Sequence, residues 1–284
     1  MNNSDFCIFI LTHGRPDNVV TYPTLRKAGY TGKIYIVIDN EDDTADEYRK
    51  VYGDDVIQFD KLAISKTFDQ ADNFDDRRSI VYARNACFEI ANSLGIKYFM
   101  ELDDDYFEFN YRFDNKLRYV TNKYIKSLDK ILDIMIDFYK MIPALSIAMA
   151  QTGDYIGGAK GSFAQKKTLR RKAMNTFLCS TDRPFQFFGR INEDVNCYTN
   201  LASRGGLFFT IPHLAINQKN TQSNPGGMTD IYLDNGTYIK SFYSVLFSPS
   251  CVTIRLMGET HRRLHHRISW KHAVPVILRE THKK

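Results

Sequence analysis

The sequence lacks the features that mark several common classes of protein. No apolar run reaches the roughly 18 residues of a transmembrane helix, and the first residues carry neither the basic start nor the small-residue cleavage site of a signal peptide. The five cysteines are scattered and form no Cys-x-x-Cys pair, which argues against a disulfide framework and a structural zinc site. We therefore expect a cytoplasmic protein with reduced thiols and no membrane partner.

Glycine-rich phosphate loops are also missing. Neither G-x-G-x-x-G nor the Walker sequence occurs in the chain. A nucleotidyltransferase usually carries such a loop, so its absence weakens the case for that class. A bound diphosphate would instead have to be neutralised by a metal ion held on carboxylates.

The charge that is present is divided unevenly along the chain. The net charge is +5, but residues 1–110 hold 12 basic and 21 acidic side chains, whereas residues 111–284 hold 26 and 12. An acidic half is suited to metal ions and a basic half to a polyanion. Ordinary scatter of charged residues is the alternative explanation.

Apolar strands alternate with helices over the first hundred residues. Strands are predicted at residues 6–11, 33–38 and 98–102, and helices at 21–28 and 79–94. This alternation predicts an α/β fold with a mixed, mostly parallel sheet flanked by helices. The less regular second half contains a predicted amphipathic helix and three predicted strands, at residues 122–141, 145–150, 177–180 and 207–211.

Three adjacent carboxylates end the predicted strand at residues 98–102. They belong to Asp103, Asp104 and Asp105. Like charges this close repel one another unless a cation or water screens them, and α/β sheets bind ligands at the carboxyl ends of their strands. The pattern favours a Mg²⁺ or Mn²⁺ ion facing a diphosphate. The alternative is a solvated acidic turn.

Polar residues accompany the other predicted strands. Thr12 and Arg15 follow the first strand, and Asp39 ends the second, where it is suited to hydrogen bonds with a base or ribose. Arg84, on the helix before the acidic strand, is suited to a phosphate or to the three aspartates. A purely structural ion pair is the alternative for Arg84.

The order of these segments resembles the nucleotide-binding half of GT-A glycosyltransferases. The segments read ILTHGRP, IVIDN, YARNACFEIA and YFMELDDDY. The resemblance implies a Rossmann-type GT-A fold, a nucleotide diphosphate sugar as donor, in particular a UDP-sugar, and a D-x-D motif that binds Mn²⁺ or Mg²⁺. Asp103 and Asp105 match that motif, and Asp104 is an additional acid of the donor site.

A second acidic motif, x-E-D at a helix start, is implied by the same resemblance. Asn192-Glu193-Asp194 stands at such a position. In an inverting transfer, Asp194 would be the general base that takes the proton of the acceptor hydroxyl, with Glu193 as its helper. Taken alone, two acids at a helix N-terminus require no more than the helix dipole.

A histidine often completes the metal shell of GT-A enzymes, and four histidines are candidates for that role. His213 follows a predicted strand, whereas His261, His265 and His266 lie in the basic tail, in the segment HRRLHHR. A surface position without function is the alternative for each of them.

Basic residues crowd residues 160–172, which contain no acid. They are Lys160, Lys166, Lys167, Arg170, Arg171 and Lys172. Such a stretch suits a phosphate backbone, and nearby phenylalanines suit an extruded base, although solvated lysines and core phenylalanines would give the same pattern. The whole chain is similar to the phage TET-associated glycosyltransferases, which implies that the acceptor is a 5-hydroxymethylated pyrimidine in double-stranded DNA.

We expect a catalytic domain at residues 1–215, with a nucleotide-sugar half (1–110) and an acceptor half (111–215). Residues 216–284 are expected to form a loop and a basic extension packed on that domain. A glycosyltransferase acting on a surface glycan or a protein is the alternative with the same fold, and a nucleotidyltransferase is the second alternative. The identity of the sugar, the stereochemical course and the oligomeric state stay open.

Overall fold

The computed structural model describes residues 5–72, 75–219, 236, 238–257 and 262–275. Eleven strands lie in these ranges. They are β1 (Phe6–Leu11), β2 (Lys33–Asp39), β3 (Val56–Phe59), β4 (Tyr98–Asp103), β5 (Tyr106–Phe113), β6 (Tyr119–Tyr124), β7 (Ser146–Gln151), β8 (Phe177–Ser180), β9 (Phe208–Gln218), β10 (Val252–Met257) and β11 (Arg263–Ile268).

Nine of these strands form one mixed sheet in the order β3-β2-β1-β4-β8-β7-β9-β5-β6. Strands β3, β2, β1 and β4 run parallel to one another, as do β7 and β9. The remaining neighbours in the sheet are antiparallel, and β10 and β11 form a separate antiparallel pair. The predicted α/β fold is confirmed, and its all-parallel part coincides with the half expected to bind the nucleotide sugar.

Helices cover both faces of this sheet. They are α1 (Thr21–Lys27), α2 (Ala45–Tyr52), α3 (Lys61–Ser65), α4 (Val81–Ser93), α5 (Leu128–Met141), α6 (Ser162–Lys166), α7 (Glu193–Ser203) and α8 (Ile239–Phe247). Buried side chains of α1, α2 and α5 form one apolar cluster with the sheet. Those of α4 and α7 belong to a second cluster on the opposite face.

The parallel strands are covered on both faces, which explains their unbroken apolar runs. All six residues of β1 are buried. Because successive side chains of a strand point to opposite faces, Ile8 and Ile10 pack in the first cluster, and Cys7 and Phe9 in the second. This double burial holds the carboxyl end of β1 in a fixed position.

For the second half, the predicted helix is wrong at its start, and the last predicted strand is confirmed but too short. Residues 122–141 do not form one helix, because β6 continues to Tyr124 and α5 begins only at Leu128. The strand expected at residues 207–211 is part of the longer β9, which runs through residue 215 to Gln218. The aromatic segment after the aspartates forms β5, which pairs with β9 and supplies the cross-strand partners that the sequence alone did not reveal.

Chain order and spatial order diverge at β1. The chain passes outward from β1 through β2 to β3 and then returns on the other side of β1 as β4. The loops that follow β1 and β4 therefore leave the sheet side by side. Such a switch point is where open α/β sheets bind ligands, and the three aspartates lie there.

The C-terminal residues that the structure describes pack on α7. The side chain of Asn200 donates to the carbonyl of Phe247 at 3.0 Å, and the rings of Tyr198 and Trp270 stack with centroids 5.9 Å apart. The expected boundary at residue 215 falls inside β9, and the proposed division into two parts stays a prediction. Within the described ranges, no helix combines the length and the apolar character that crossing a bilayer requires.

Candidate active site

Asp104 ties the loop after β4 to the loop after β1. The hydroxyl of Thr12 donates to Asp104 Oδ2 at 2.6 Å, and Arg15 Nε lies 3.4 Å from the same oxygen. Thr12 Oγ1 is also 2.9 Å from the hydroxyl of Tyr48. Three of the residues assigned to the donor site from sequence are thus brought together, with Asp104 as the acceptor of the other two.

Thr21, at the start of α1, fixes the backbone of the same aspartates. Its hydroxyl donates to the Asp103 carbonyl at 2.6 Å, and its backbone N–H donates to the Asp104 carbonyl at 3.0 Å. The backbone N–H of Tyr106 donates in turn to the Thr21 hydroxyl at 2.9 Å. A buried, hydrogen-bonded threonine therefore determines the path of the acidic turn.

A buried arginine joins the aspartates to α7. Arg84, on α4, retains 2% of its surface. It donates through Nη2 to Asp103 Oδ1 at 3.0 Å and through Nε to Glu193 Oε1 at 3.1 Å. Its Nη1 lies 3.6 Å from Glu101 Oε2. The planar guanidinium thereby connects the end of β4 with the first turn of α7.

This cluster contains more carboxylates than cations. Burial raises the pKa of Glu101 to about 8, and burial together with the charge of Asp194 raises the pKa of Glu193 to about 7. Arg84 Nη1 and both carboxylate oxygens of Glu101 are buried without a hydrogen-bond partner in the described part of the chain. Joint ionisation of these carboxylates is therefore costly, because they share the positive charge of one arginine.

Asp105 is the aspartate that the fold leaves open. Asp103 and Asp104 are held by Arg84 and Thr12, whereas the Asp105 carboxylate has no ion pair or hydrogen bond to another side chain in the described ranges. Burial, followed by the charges of Asp103 and Asp104, raises the pKa of Asp105 to about 7. A cation beside this carboxylate would offset that repulsion.

The donor set at Asp105 fits a metal ion only if a substrate completes it. Among the described residues, no group of three or more His, Cys, Asp or Glu side chains is arranged to hold a metal. A divalent ion would rest on Asp105, with Asp103 of the same D-x-D motif as the second carboxylate, and would take its other oxygens from a diphosphate and water. Mg²⁺ is commonly bound in this manner, by one or two carboxylates and substrate phosphates.

Glu193 and Asp194 open α7 as the x-E-D motif predicts. Asp194 is buried, which raises its pKa above the usual range. Its Oδ1 accepts the backbone N–H of Val195 at 2.7 Å, and its Oδ2 has no hydrogen-bond partner in the described part of the chain. Glu193 is engaged by Arg84, so Asp194 offers the carboxylate oxygen that is available to a hydroxyl.

Asn192 precedes this pair in a left-handed conformation, with φ 61° and ψ 36°. Its side-chain amide donates to the hydroxyl of Ser244 on α8 at 2.5 Å, and lies 3.5 Å from Nδ1 of His266 on β11. His266, one of the four histidines considered for the metal, therefore sits beside the acidic pair of α7. Burial, followed by nearby positive charges, lowers the pKa of His266 to about 3.

His265 lies against His266, with ring centroids 4.3 Å apart, whereas His213 is on β9. His213 packs on the ring of Phe113, with centroids 5.3 Å apart. Tyr106, the first residue after the three aspartates, pairs with Gln218 of β9. His213 lies earlier on the same strand, about 17 Å from Gln218. The structure does not bring His213 to the three aspartates. His261 lies outside the described residues.

Asp39 ends β2 as predicted, but its carboxylate is already occupied. Oδ2 is 2.9 Å from Nδ1 of His13 and 3.2 Å from Nζ of Lys61, and Oδ1 accepts the backbone N–H of Glu41 at 3.0 Å. Burial would raise the pKa of Asp39, but the hydrogen bond from His13 and the charge of Lys61 outweigh it and hold this pKa below its usual value.

The basic residues of the segment 160–172 do not form one surface. Lys160 and Lys166 are exposed, and Lys167 is partly buried with Nζ 6.0 Å from the centre of the Phe113 ring. These three lysines are the part of the segment best placed to meet a polyanion.

The remaining three basic residues have partners within the chain. Arg170 stacks on Phe163 with its guanidinium carbon 5.0 Å from the ring centre. Arg171 donates to a backbone carbonyl of the C-terminal segment at 2.7 Å. Lys172 forms an ion pair with Asp154. For these residues a structural role accounts for the positive charge.

A family model matches residues 6–227 of the chain, and the family is the TET-associated glycosyltransferases. The chain belongs to this family. The match covers the sheet through β9 and every candidate residue of the donor site, as well as Glu193 and Asp194. The protein is therefore a glycosyltransferase, as the ordered motifs indicate. Comparison with curated proteins gives no match.

Two solved structures are similar to this family member, both of glucosyl-3-phosphoglycerate synthase from Mycobacterium tuberculosis. The complex with Mg²⁺ and uridine diphosphate has a TM-score of 0.48 and 7% identity, and covers 93% of this chain and 87% of that chain. The complex with Mn²⁺, uridine diphosphate and phosphoglyceric acid has a TM-score of 0.46 and 8% identity, and covers 96% and 88%. The family assignment rests on the family model alone.

Sequence reasoning did not assign Glu101 and His13 to the site of this glycosyltransferase. Glu101 interrupts an otherwise apolar strand, and an acid in that position requires a buried partner. It lies two residues before Asp103 and so on the same face of β4. His13 directly follows Thr12 at the end of β1. Both signals are present in the sequence, although neither is specific.

We predict that Arg84→Met lowers the free energy of unfolding by about 3–5 kcal/mol, because it leaves buried carboxylates without their cation. Arg84→Lys should lose less, since it retains the charge but not the planar fork. Urea unfolding monitored by circular dichroism measures both. Arg49→Met is the control, because its side chain is about half exposed and should change stability by less than about 0.5 kcal/mol. A loss below about 1 kcal/mol for Arg84→Met would contradict the structural role.

Proposed function

We propose that this glycosyltransferase uses a divalent metal to transfer a sugar from a nucleotide diphosphate sugar to the hydroxyl of a 5-hydroxymethylated pyrimidine in DNA. One observation carries the proposal. Arg84 bonds to both Asp103 and Glu193, so the acidic end of β4 and the acidic start of α7 face one another across a single buried side chain. This arrangement supports a single site that would hold both a donor-binding acid and a base that meets the acceptor.

The donor half of the proposal rests on Asp105. Its raised pKa and its lack of a protein partner favour a cation at that carboxylate. The ion, Mn²⁺ or Mg²⁺, would neutralise the diphosphate and stabilise it as the leaving group. No glycine-rich loop is available for that task. Asp103 and Asp104 contribute by holding the turn in place through Arg84, Thr12 and Arg15.

The acceptor half rests on Asp194. Its Oδ2 is positioned to take the proton of the acceptor hydroxyl while the oxygen attacks the sugar carbon. Burial raises the pKa of Asp194 and so strengthens it as a base. Arg84 draws Glu193 toward Asp103, which orients the helix start on which Asp194 lies. This arrangement favours direct displacement with inversion.

The DNA acceptor is supported by family membership and by Lys160, Lys166 and Lys167. Three lysines that reach solvent on one short segment suit the phosphate backbone. The five cysteines are buried free thiols, which favours a reducing compartment, and we propose the cytoplasm. The test is mass spectrometry of nucleosides after the protein, Mn²⁺ and nucleotide sugars are incubated with DNA that contains 5-hydroxymethylcytosine or 5-hydroxymethyluracil. Transfer to glycans or proteins but not to DNA would favour the alternative acceptor.

Removing the carboxylate of Asp105 should abolish the metal-dependent transfer activity. We predict that Asp105→Asn abolishes transfer, whereas the wild type loses activity in EDTA and regains it with Mn²⁺ or Mg²⁺. The variant should be at least as stable as the wild type, because the substitution removes repulsion among three aspartates. Asp54→Asn, an exposed acid remote in sequence, is the control. Transfer by Asp105→Asn in the presence of EDTA would exclude the metal role.

Turnover should depend on the carboxylate of Asp194. We predict that Asp194→Asn lowers kcat by about 10²–10⁴-fold, the usual contribution of a general base, while the KM for the donor hardly changes. Glu193→Gln is the matched comparison, since it neutralises the neighbouring acid. Near-normal kcat for Asp194→Asn would point to another base or to a retaining mechanism.

Binding to DNA should depend on the three lysines that reach solvent. We predict that the combined Lys160, Lys166 and Lys167 to Gln variant binds duplex DNA more weakly at every sequence, with the log–log salt slope smaller by about one for each lysine that contacts a phosphate. The control replaces the exposed Lys27, Lys50 and Lys130 with Gln and changes net charge equally. Fluorescence anisotropy at several salt concentrations measures both. Equal affinity for the two variants would assign the segment to ordinary solvated surface.

A further inference from the structure

The acid at the end of β2 is not free to recognise a nucleoside. The Asp39 carboxylate accepts hydrogen bonds from His13, Lys61 and the backbone of Glu41. The carboxylate is 5% exposed. Three of the roughly four acceptor sites of this carboxylate are thus taken, and its burial leaves a base or ribose little access to the remaining one.

His13 occupies the position between Asp39 and solvent. Half of its side chain is exposed, whereas Asp39 and Asp42 beside it are buried. It follows Thr12, which contacts Asp104, and its carbonyl accepts a hydrogen bond from Arg15 Nε at 3.4 Å. His13 therefore lies in the loop at the switch point, where its imidazole contacts Asp39 and Asp42 and its neighbour Thr12 contacts Asp104.

Asp39 also fixes which nitrogen of His13 carries the proton. An ionised carboxylate can only accept, so Nδ1, 2.9 Å away, must donate. In the neutral imidazole Nε2 is then an acceptor. No hydrogen bond to Nε2 is found in the described part of the chain. The ring thus presents one oriented acceptor to a ligand.

We propose that His13 is the specificity residue for the donor base, and that its Nε2 accepts the N3–H of uracil. Cytosine carries an acceptor at N3 and would face Nε2 lone pair to lone pair, which disfavours it. Asp39 is the positioning residue that holds the ring and its tautomer. This inference rests on the proposed use of a nucleotide diphosphate donor, and names uridine diphosphate as the nucleotide.

The test uses isothermal titration of the full chain with UDP, CDP and N3-methyl-UDP in the presence of Mn²⁺. The wild type should bind UDP about ten-fold or more tightly than CDP or N3-methyl-UDP, because either change removes the N3–H donor. His13→Ala should bind all three with similar affinity. The matched control is His272→Ala, an exposed histidine of the C-terminal segment, which should retain the wild-type preference.

The ratio of the affinity for UDP to the affinity for CDP should also decrease as the pH falls. The hydrogen bond to Asp39 raises the pKa of His13 against the effect of its burial, with Asp42 adding to the rise and Lys61 opposing it. Below that pKa the imidazole is protonated and Nε2 becomes a donor, which no longer matches N3–H. The ratio of UDP to CDP affinity is the readout, because effects on the metal and the diphosphate are common to both nucleotides. His13→Gln should show a ratio that does not change with pH.

The outcomes separate this inference from the proposed function. If the wild type binds CDP or N3-methyl-UDP as tightly as UDP, or if His13→Ala keeps the preference for UDP over N3-methyl-UDP, the role of His13 is overturned while the metal–diphosphate site stands. If no nucleoside diphosphate binds with Mn²⁺, the donor site itself fails and the inference fails with it.

Discussion

The buried guanidinium of Arg84 is the constraint on which the rest of the site depends. It is enclosed by Glu101, Asp103 and Glu193, which come from β4 and α7, and it also lies over the ring of Phe177, 4.8 Å from its centre. A buried charge costs several kcal/mol to desolvate, and well-packed apolar groups would often be at least as stable. Its retention in the core is therefore better explained by the geometry that it imposes on two acidic segments than by stability.

That geometry follows from the two-residue period of a strand. Glu101 and Asp103 point to the face of β4 that carries α4 and α7, so both meet Arg84. Asp104, one residue on, turns toward Thr12 and Arg15 in the loop after β1. Asp105 is the next acid in the turn, and its carboxylate forms no ion pair within the described ranges. Three identical residues thus acquire three environments, and the pKa of Asp105 rises through its burial first and then through the two charges fixed beside it.

The sequence was sufficient for the parts of this structure that repeat a simple pattern. The apolar runs of β1, β2 and β4, and the apolar stripe of α4, predict the parallel half and place the aspartates at its carboxyl edge. The pattern of apolar residues was not sufficient where strand pairing determines the secondary structure. The polar β6 is an edge strand, so its residues 122–124 read as the start of the helix that follows. The role of Asp39 was also out of reach, because it depends on Lys61, which approaches from α3 far along the chain.

The position of Asp194, the candidate base, depends on contacts from Arg84 and from the C-terminal segment. Glu193 is drawn to the donor side by Arg84, within the part that the family model matches. Asn192 is held by Ser244 and lies beside His266, both of which follow that part. A left-handed asparagine costs up to about 1–2 kcal/mol, which these contacts offset. Asp194 comes next in the chain after these two residues. Its position is therefore held by Arg84 through Glu193 and by the C-terminal segment through Asn192.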